Sequence, residues 1–214
     1  MNFVNIDKFL PYVLPYAEKC PNVVARRAIR DAIIVLAEET GATTLRCSMD
    51  TVKGQDSYEF ELPVGIDVER VSFVKLGSFP LKAINRDMLK QLYPHTDWRD
   101  IPGTPQYYLH TDEPKMLNIV PAPDTSGAKL TCELKLRFSR DCDEFPGIYY
   151  ERYVEAVACG ALARVLAMPG QPFTDLAMAA QWMQMFAQTL PSIKAEVMRD
   201  FTNEAGRVVY RNIL

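Results

Sequence analysis

The chain has 214 residues, 48% of them apolar and 24% charged, with a formal net charge of -3. That length supports one large domain, or a domain with an insertion, with roughly 70% of the unfolded surface buried. The mild acidity argues against general nucleic-acid binding. Asp7 sits in the opening residues, where no basic stretch precedes an apolar run, so no secretory leader is expected. No apolar run approaches the ~20 residues that cross a bilayer, and a soluble protein made in the cytoplasm is expected. Five cysteines, Cys20, Cys47, Cys132, Cys142 and Cys159, are scattered without a CxxC pair. They read as buried thiols kept reduced inside a cell.

Pro11 and Pro15 predict that any helix over residues 10–19 is short or broken. Pro21-Asn22 then marks a helix start, with Asn22 as the expected N-cap. Across residues 23–40, Ala25, Ile29, Ile33 and Leu36 recur at helical spacing, and Gly41 is the expected left-handed stop. The period then changes. Tyr58, Phe60 and Leu62 alternate with Glu59 and Glu61, and residues 71–76 form a second strand candidate before a turn at Gly77-Ser78. Residues 84–104 interrupt the strands with one or two helical turns over 85–92. A long polar loop follows at 93–103, carrying Trp98. Short strands are predicted at 106–110 and 116–120, then a turn-rich connection at 121–127.

The clearest strand is 130–138, where Leu130, Cys132, Leu134, Leu136 and Phe138 alternate with Thr131, Glu133, Lys135 and Arg137. The helical period returns at Pro146-Gly147. Val154, Val157, Ala161, Val165 and Met168 make a stripe, and Gly160, Ala161 and Ala163 would admit a neighbouring helix closely. Pro169-Gly170 ends that segment. Thr174 or Asp175 can cap a last helix, whose stripe is Leu176, Ala179, Met183, Phe186, Leu190, Ile193, Val197 and Phe201, and which Pro191 should kink or divide.

Helices therefore bracket strands. The expected fold is α+β: a helical bundle from both chain ends (residues 1–41 and 146–206), with an antiparallel β-sheet or sandwich module inserted at 42–145. An extended tail at 207–214 follows, holding Arg207, Val208, Val209, Tyr210, Arg211, Ile213 and Leu214. Its β-branched and aromatic residues suit a segment that docks on a partner.

Catalytic groups are sparse. His95 and His110 are the only histidines, and even with Asp97 or Asp112 they fall short of the converging ligands a zinc needs. Cys132 and Cys159 lie on apolar faces. Cys142 stands between Asp141 and Asp143, which disfavour a thiolate. No phosphate-binding loop, dinucleotide fingerprint, zinc-protease helix or nucleophile elbow is present. The acidic groups Glu38-Glu39 and Asp141, Asp143, Glu144 read as solvated charges. Arg26, Arg27 and Arg30 on the first helix are candidates for phosphate or carboxylate contact, weighed against a solvated, ion-paired face.

Several stretches resemble the small head-to-tail connector (adaptor) proteins of tailed bacteriophages. They are Arg26-Arg27-Ala28-Ile29-Arg30-Asp31-Ala32, Tyr58-Glu59-Phe60-Glu61-Leu62-Pro63, Gly103-Thr104-Pro105-Gln106-Tyr107-Tyr108 and Ile119-Val120-Pro121-Ala122-Pro123. The helix around Gly160-Ala161-Leu162-Ala163-Arg164 and the Pro169-Gly170 stop complete the set. This resemblance implies a structural virion protein of the neck, assembled in the host cytoplasm, without cofactor. It further implies a ring, a dodecamer in that family, that sits under the portal protein and passes genomic DNA without sequence specificity. A further neck or tail protein would sit below, and no membrane is involved. Under this reading the tail residues Arg207, Val209, Tyr210, Arg211, Ile213 and Leu214 dock on the portal. Trp98, Arg99, Gly160, Ala161 and Arg164 meet a neighbouring subunit. The alternatives are a neck-associated cell-wall hydrolase and a small DNA-binding module using Arg26, Arg27 and Arg30.

Overall fold

A computed structural model describes residues 2–95, 97, 98, 101–110 and 115–201. Its contacts divide the chain into two compact units: Phe3–Ala42 with the chain from Gly147 onward, and Thr43–Pro146 with the first two residues.

The first unit opens with a short extended segment, β1 (Phe3–Asn5), and a 3-10 turn (Ile6–Phe9). Helix α1 (Leu10–Val13) and a second 3-10 turn (Leu14–Tyr16) follow. Pro11 and Pro15 each fall in the first turn of one of these short helices, where a missing N–H costs nothing, and the path is broken as the prolines predict. Helix α2 (Asn22–Thr40) buries Ala25, Ala28, Ile29, Ala32, Ile33, Leu36 and Ala37. Pro21, not Asn22, is its N-cap. No side chain caps it, and the Pro21 carbonyl accepts from Val24 N and Ala25 N. Gly41, at φ 72°, closes the helix through its N–H to the Ala37 carbonyl at 2.9 Å.

The second unit is mostly β. Its strands are β2 (Thr44–Asp50), β3 (Ser57–Glu59), β4 (Ile66–Leu76), β5 (Phe79–Pro80) and β6 (Lys82–Ala83). After helix α3 (Arg86–Leu92) come β7 (Pro102–Gly103), β8 (Tyr107–His110), β9 (Met116–Val120), β10 (Ala122–Pro123), β11 (Lys129–Phe138) and β12 (Glu144–Pro146). One sheet has the order β2-β11-β4-β5 and a second β3-β9-β8-β6; both are antiparallel except for the β6–β8 pair. Strands β7 and β10 pair in parallel.

Strand β11 is the hub of the first sheet. Leu130, Cys132, Leu134 and Leu136 are all 1% exposed or less, so the strict alternation is realised as one buried face. On the opposite face Arg46 meets Glu133 at 3.0 Å, Lys135 meets Glu69 at 3.6 Å and Arg137 meets Asp67 at 3.8 Å.

The partner β4 alternates less cleanly, because its register shifts at Glu133/Leu134 and Lys135/Leu136. Ser72 and Glu69 are the extra residues, so Val68, Val71 and Val74 reach the same interior at spacings of three. Strand β2 is a finding the sequence reading missed. Leu45, Cys47 and Met49 lie opposite Leu134, Cys132 and Leu130, but β2 is an edge strand and only Cys47 is buried. Close packing elsewhere in the unit is fixed by Gly65 (φ 82°), where a Cβ would stand 2.7 Å from the Cys142 nitrogen.

Past Pro146 the chain rejoins the helical unit. The segment expected as one helix divides into α4 (Ile148–Glu151) and α5 (Val154–Leu166). Helix α5 is buried nearly all round, with ten buried residues, so it is a core helix rather than a surface one. Helix α6 (Leu176–Phe201) starts at Asp175, whose side chain accepts from Met178 N and whose carbonyl accepts from Ala179 N, both at 2.9 Å. Pro191 lies inside α6, yet the helix continues as one element. Nearby hydroxyls serve carbonyls around the interruption: Thr189 Oγ1 donates to Phe186 O at 2.8 Å and Ser192 Oγ to Thr189 O at 2.7 Å.

Candidate assembly surfaces

Small residues decide the packing of the helical unit. A Cβ built on Gly160 would lie 3.0 Å from Phe186 Cε2 on α6 and 3.1 Å from the Ala32 Cβ on α2. Ala161 is fully buried. The close approach expected from Gly160 and Ala161 is therefore made within the chain. The face assigned to a neighbouring subunit is filled by α2 and α6. Arg164 belongs to the same cluster. Its Nη1 donates to the Gly160 carbonyl at 2.7 Å, and its guanidinium lies 6.0 Å from the Phe186 ring centre. Burial lowers its pKa from the usual arginine value, with Asp31 opposing the shift.

Of the three arginines on α2, Arg26 is held by an acidic neighbour. Arg26 reaches Asp7 through both Nε and Nη2, a bidentate pair that occupies its fork. Arg27 is exposed and Arg30 half-buried.

Trp98, expected as an anchor on a neighbour, packs with Tyr93 and Tyr107 against Ile84, Leu89, Leu109 and Val120 of its own unit. Asn85 begins the helix beneath it, its side chain accepting from Met88 N at 2.8 Å. Arg99 lies outside the described residues, as do all the tail positions, Arg207, Val209, Tyr210, Arg211, Ile213 and Leu214.

The described surface of the helical unit is apolar where sequence reasoning looked for a buried stripe. Among the described side chains of α6, Ala179, Phe186 and Ile193 are buried, whereas Leu176, Met178, Met183, Met185 and Met198 are exposed. Their spacing places Leu176 and Met183 on one flank of the buried row and Met178 and Met185 on the other. Tyr16, 60% exposed, packs edge-on against Trp182 with ring centres 5.4 Å apart. The Trp182 Nε1–H is buried and has no hydrogen-bond partner among the described residues. In the same unit, Tyr150 receives Phe9 at 5.5 Å and Tyr12 at 6.2 Å, with Lys8 Nζ 5.8 Å from its ring centre. The density of methionine over 178–198, and Tyr12 and Tyr16 one turn apart, were the available signals.

The thiols are structural in placement. All five cysteines are buried and none is in a disulfide. Burial pushes the Cys20 and Cys159 thiols up, with Glu155 adding to the effect at Cys159. Cys142 Sγ donates to the Glu144 carbonyl at 2.8 Å. Among the described residues, no group of three or more histidine, cysteine, aspartate or glutamate side chains is placed to hold a metal. No helix among them is long and apolar enough to cross a membrane.

A helical unit closed by a small-residue approach at Gly160 and a mostly β unit, with methionine and aromatic side chains left exposed on the described part of α6 and the N-terminal turns, make an α+β protein with apolar surface to spare. The chain belongs to the SU10 adaptor protein family, whose model it matches over residues 12–210. Among solved structures it is similar to a chain titled "Neck of native GTA particle computed with C12 symmetry". That match has 14% identity and a TM-score of 0.26, covering 85% of this chain and 94% of the other. No curated protein matches the chain.

Proposed function

We propose that the chain is a structural head-to-tail adaptor of a phage-like particle: copies form a ring under the portal, join capsid to tail and let DNA pass. The observation that carries this reading is the family match over residues 12–210, which runs through both units rather than through one shared motif. The role is non-enzymatic and needs no cofactor. A net charge of -3 suits a channel component that must not grip phosphates.

In this reading the exposed row on α6, with the Tyr16–Trp182 edge, receives a neighbouring copy. Methionines adapt to an irregular partner surface, and aromatic anchors with a polar edge are enriched in interface centres. Residues 207–214 supply the portal contact, and their docking makes assembly sequential.

The test is mass in solution, for the chain alone and mixed with the portal protein of the same genome. A ring that forms on the portal supports the adaptor reading. A chain that ignores the portal, or that clears peptidoglycan in a zymogram, overturns it. Deleting residues 207–214 should abolish portal attachment and leave the circular dichroism spectrum unchanged. Attachment that survives the deletion removes the tail assignment alone.

A further inference from the structure

We propose that Cys47 and Cys132 are an oxidisable pair, a site at which the edge strand β2 is joined covalently to β11. The two residues stand directly opposite each other in the antiparallel register, so their side chains leave the same face of the sheet. Opposed residues in such a pair have Cα atoms about 4.5 Å or about 5.5 Å apart, depending on whether they exchange backbone hydrogen bonds. Either separation falls in the range of about 4.4–6.8 Å that a disulfide spans. The β2–β11 register runs without a shift over seven residue pairs, whereas both irregularities of β11 lie on its other side, toward β4. The backbone around the two cysteines is thus regular.

The thiols already interact. The neighbouring Cys132 holds the Cys47 thiol below its ordinary value, and Cys47, together with burial, pushes Cys132 well above it. Cys47 is also the one nearer solvent, at 6% exposure against 0% for Cys132. Cys47, the more accessible sulfur, takes the attacking role and the fully buried Cys132 the resolving one. The remaining cysteines are placed elsewhere: Cys20 and Cys159 belong to the helical unit, and Cys142 is turned to the Glu144 carbonyl.

A small oxidant such as hydrogen peroxide completes the chemistry. The Cys47 thiolate attacks one peroxide oxygen, the O–O bond breaks, hydroxide leaves, and Cys47 becomes a sulfenic acid. Cys132 gives up its proton and its sulfur attacks that of Cys47, expelling a second hydroxide as the S–S bond forms. Two thiols and one peroxide give one disulfide and two waters. The sulfurs lose the two electrons that the peroxide oxygens gain. The pairing itself rests on strand register. Its timing rests on the reading above, in which the chain is made in a reducing cell and later leaves it in a particle.

The experiment uses the isolated full chain, so it stands whatever the portal result. Native protein is treated with hydrogen peroxide, denatured, alkylated and digested, and the peptides are mapped by mass spectrometry. The expected product is a Cys47–Cys132 peptide about 2 Da lighter than the two reduced peptides together, and reversed by dithiothreitol. Titratable thiols in denaturant should fall from five to three, five minus the two joined. In a Cys132→Ala variant the Cys47 sulfenic acid should persist long enough for dimedone to trap it. A Cys47→Ala variant, at the strand edge, should lose the linked peptide without gaining another. Recovery of Cys47 and Cys132 as alkylated thiols while the other three react would overturn the proposal. So would a native map no different from the mixture formed in urea.

Discussion

Substituting Gly160 tests whether the small-residue face belongs to the chain's own core. In Gly160→Ala the new methyl would sit 3.0 Å from Phe186 Cε2 and 3.1 Å from the Ala32 Cβ, inside the ~3.5–4.0 Å optimum for carbon pairs. Overpacking of this kind costs about 1–3 kcal/mol. Removing a glycine from a helix interior returns about 1 kcal/mol. The net expectation is a loss of about 1 kcal/mol, with an upper end near 2 from the same two terms. Phe186→Ala alone should cost about 3–5 kcal/mol, because Phe186 is 3% exposed. In the double variant the ring no longer opposes the new methyl, and only the Ala32 contact remains. The loss from Gly160→Ala should then shrink toward zero, a coupling of about 1 kcal/mol. Urea unfolding followed by circular dichroism, at two protein concentrations, measures all four corners of the cycle. Additivity within about 0.3–0.5 kcal/mol would refute the packing argument. A concentration dependence of the Gly160→Ala effect would return the residue to an interface between copies.

Gly65→Ala should be more damaging than Gly41→Ala. Both glycines have positive φ, but the Gly65 Cβ would meet the Cys142 backbone at 2.7 Å, whereas nothing lies within 4 Å at Gly41. About 1 kcal/mol is expected at Gly41 from left-handed strain and several times that at Gly65, read as the difference in melting temperature. Tyr149→Phe should cost about 1–3 kcal/mol, because the hydroxyl donates to the Ala42 carbonyl at 2.5 Å from a fully buried site. Burial, with Tyr153 adding, holds the Tyr149 phenol far above its ordinary value of 10.0. Its contribution is intact below pH about 10. Above that pH the unfolded chain releases a proton that the folded chain keeps, so stability falls as pH rises; Tyr149→Phe should flatten that alkaline limb. Asp7→Ala should change stability by less than about 1 kcal/mol, and less in high salt, since Arg26 and Asp7 are 42% and 45% exposed.

Periodicity made much of the fold legible. The alternation of β11 and the four-residue spacing of α2 each report a single buried face, and both appear as expected. Where two neighbours set the environment, the pattern failed. Helix α5 lies between α2 and α6 and is buried nearly all round, so its stripe carries no orientation. In α6 the apolar row continues onto exposed positions, so periodicity marks Leu176 and Met183 as though they were core. Strand β2 alternates too, through Leu45, Cys47 and Met49, but over few residues and with Thr44 and Asp50 at its ends. The candidate surfaces were harder still. A glycine in a sequence signals a close approach without naming the partner, and here the partner is a phenylalanine of the same chain.

The division of the chain has a consequence for the order of synthesis. The β unit is almost contiguous, Thr43–Pro146, whereas the helical unit draws on both ends. A ribosome therefore releases the whole β unit while α2 still lacks α5 and α6, the helices against which it packs. Ile29, Ile33 and Leu36, each fully buried in the finished protein, belong to a helix that lacks its α5 and α6 partners until those segments emerge. A chain cut short before α6 is thus left with an exposed sticky helix and an incomplete core. Completion of the helical unit therefore waits on the last helix, whatever the β unit has already done.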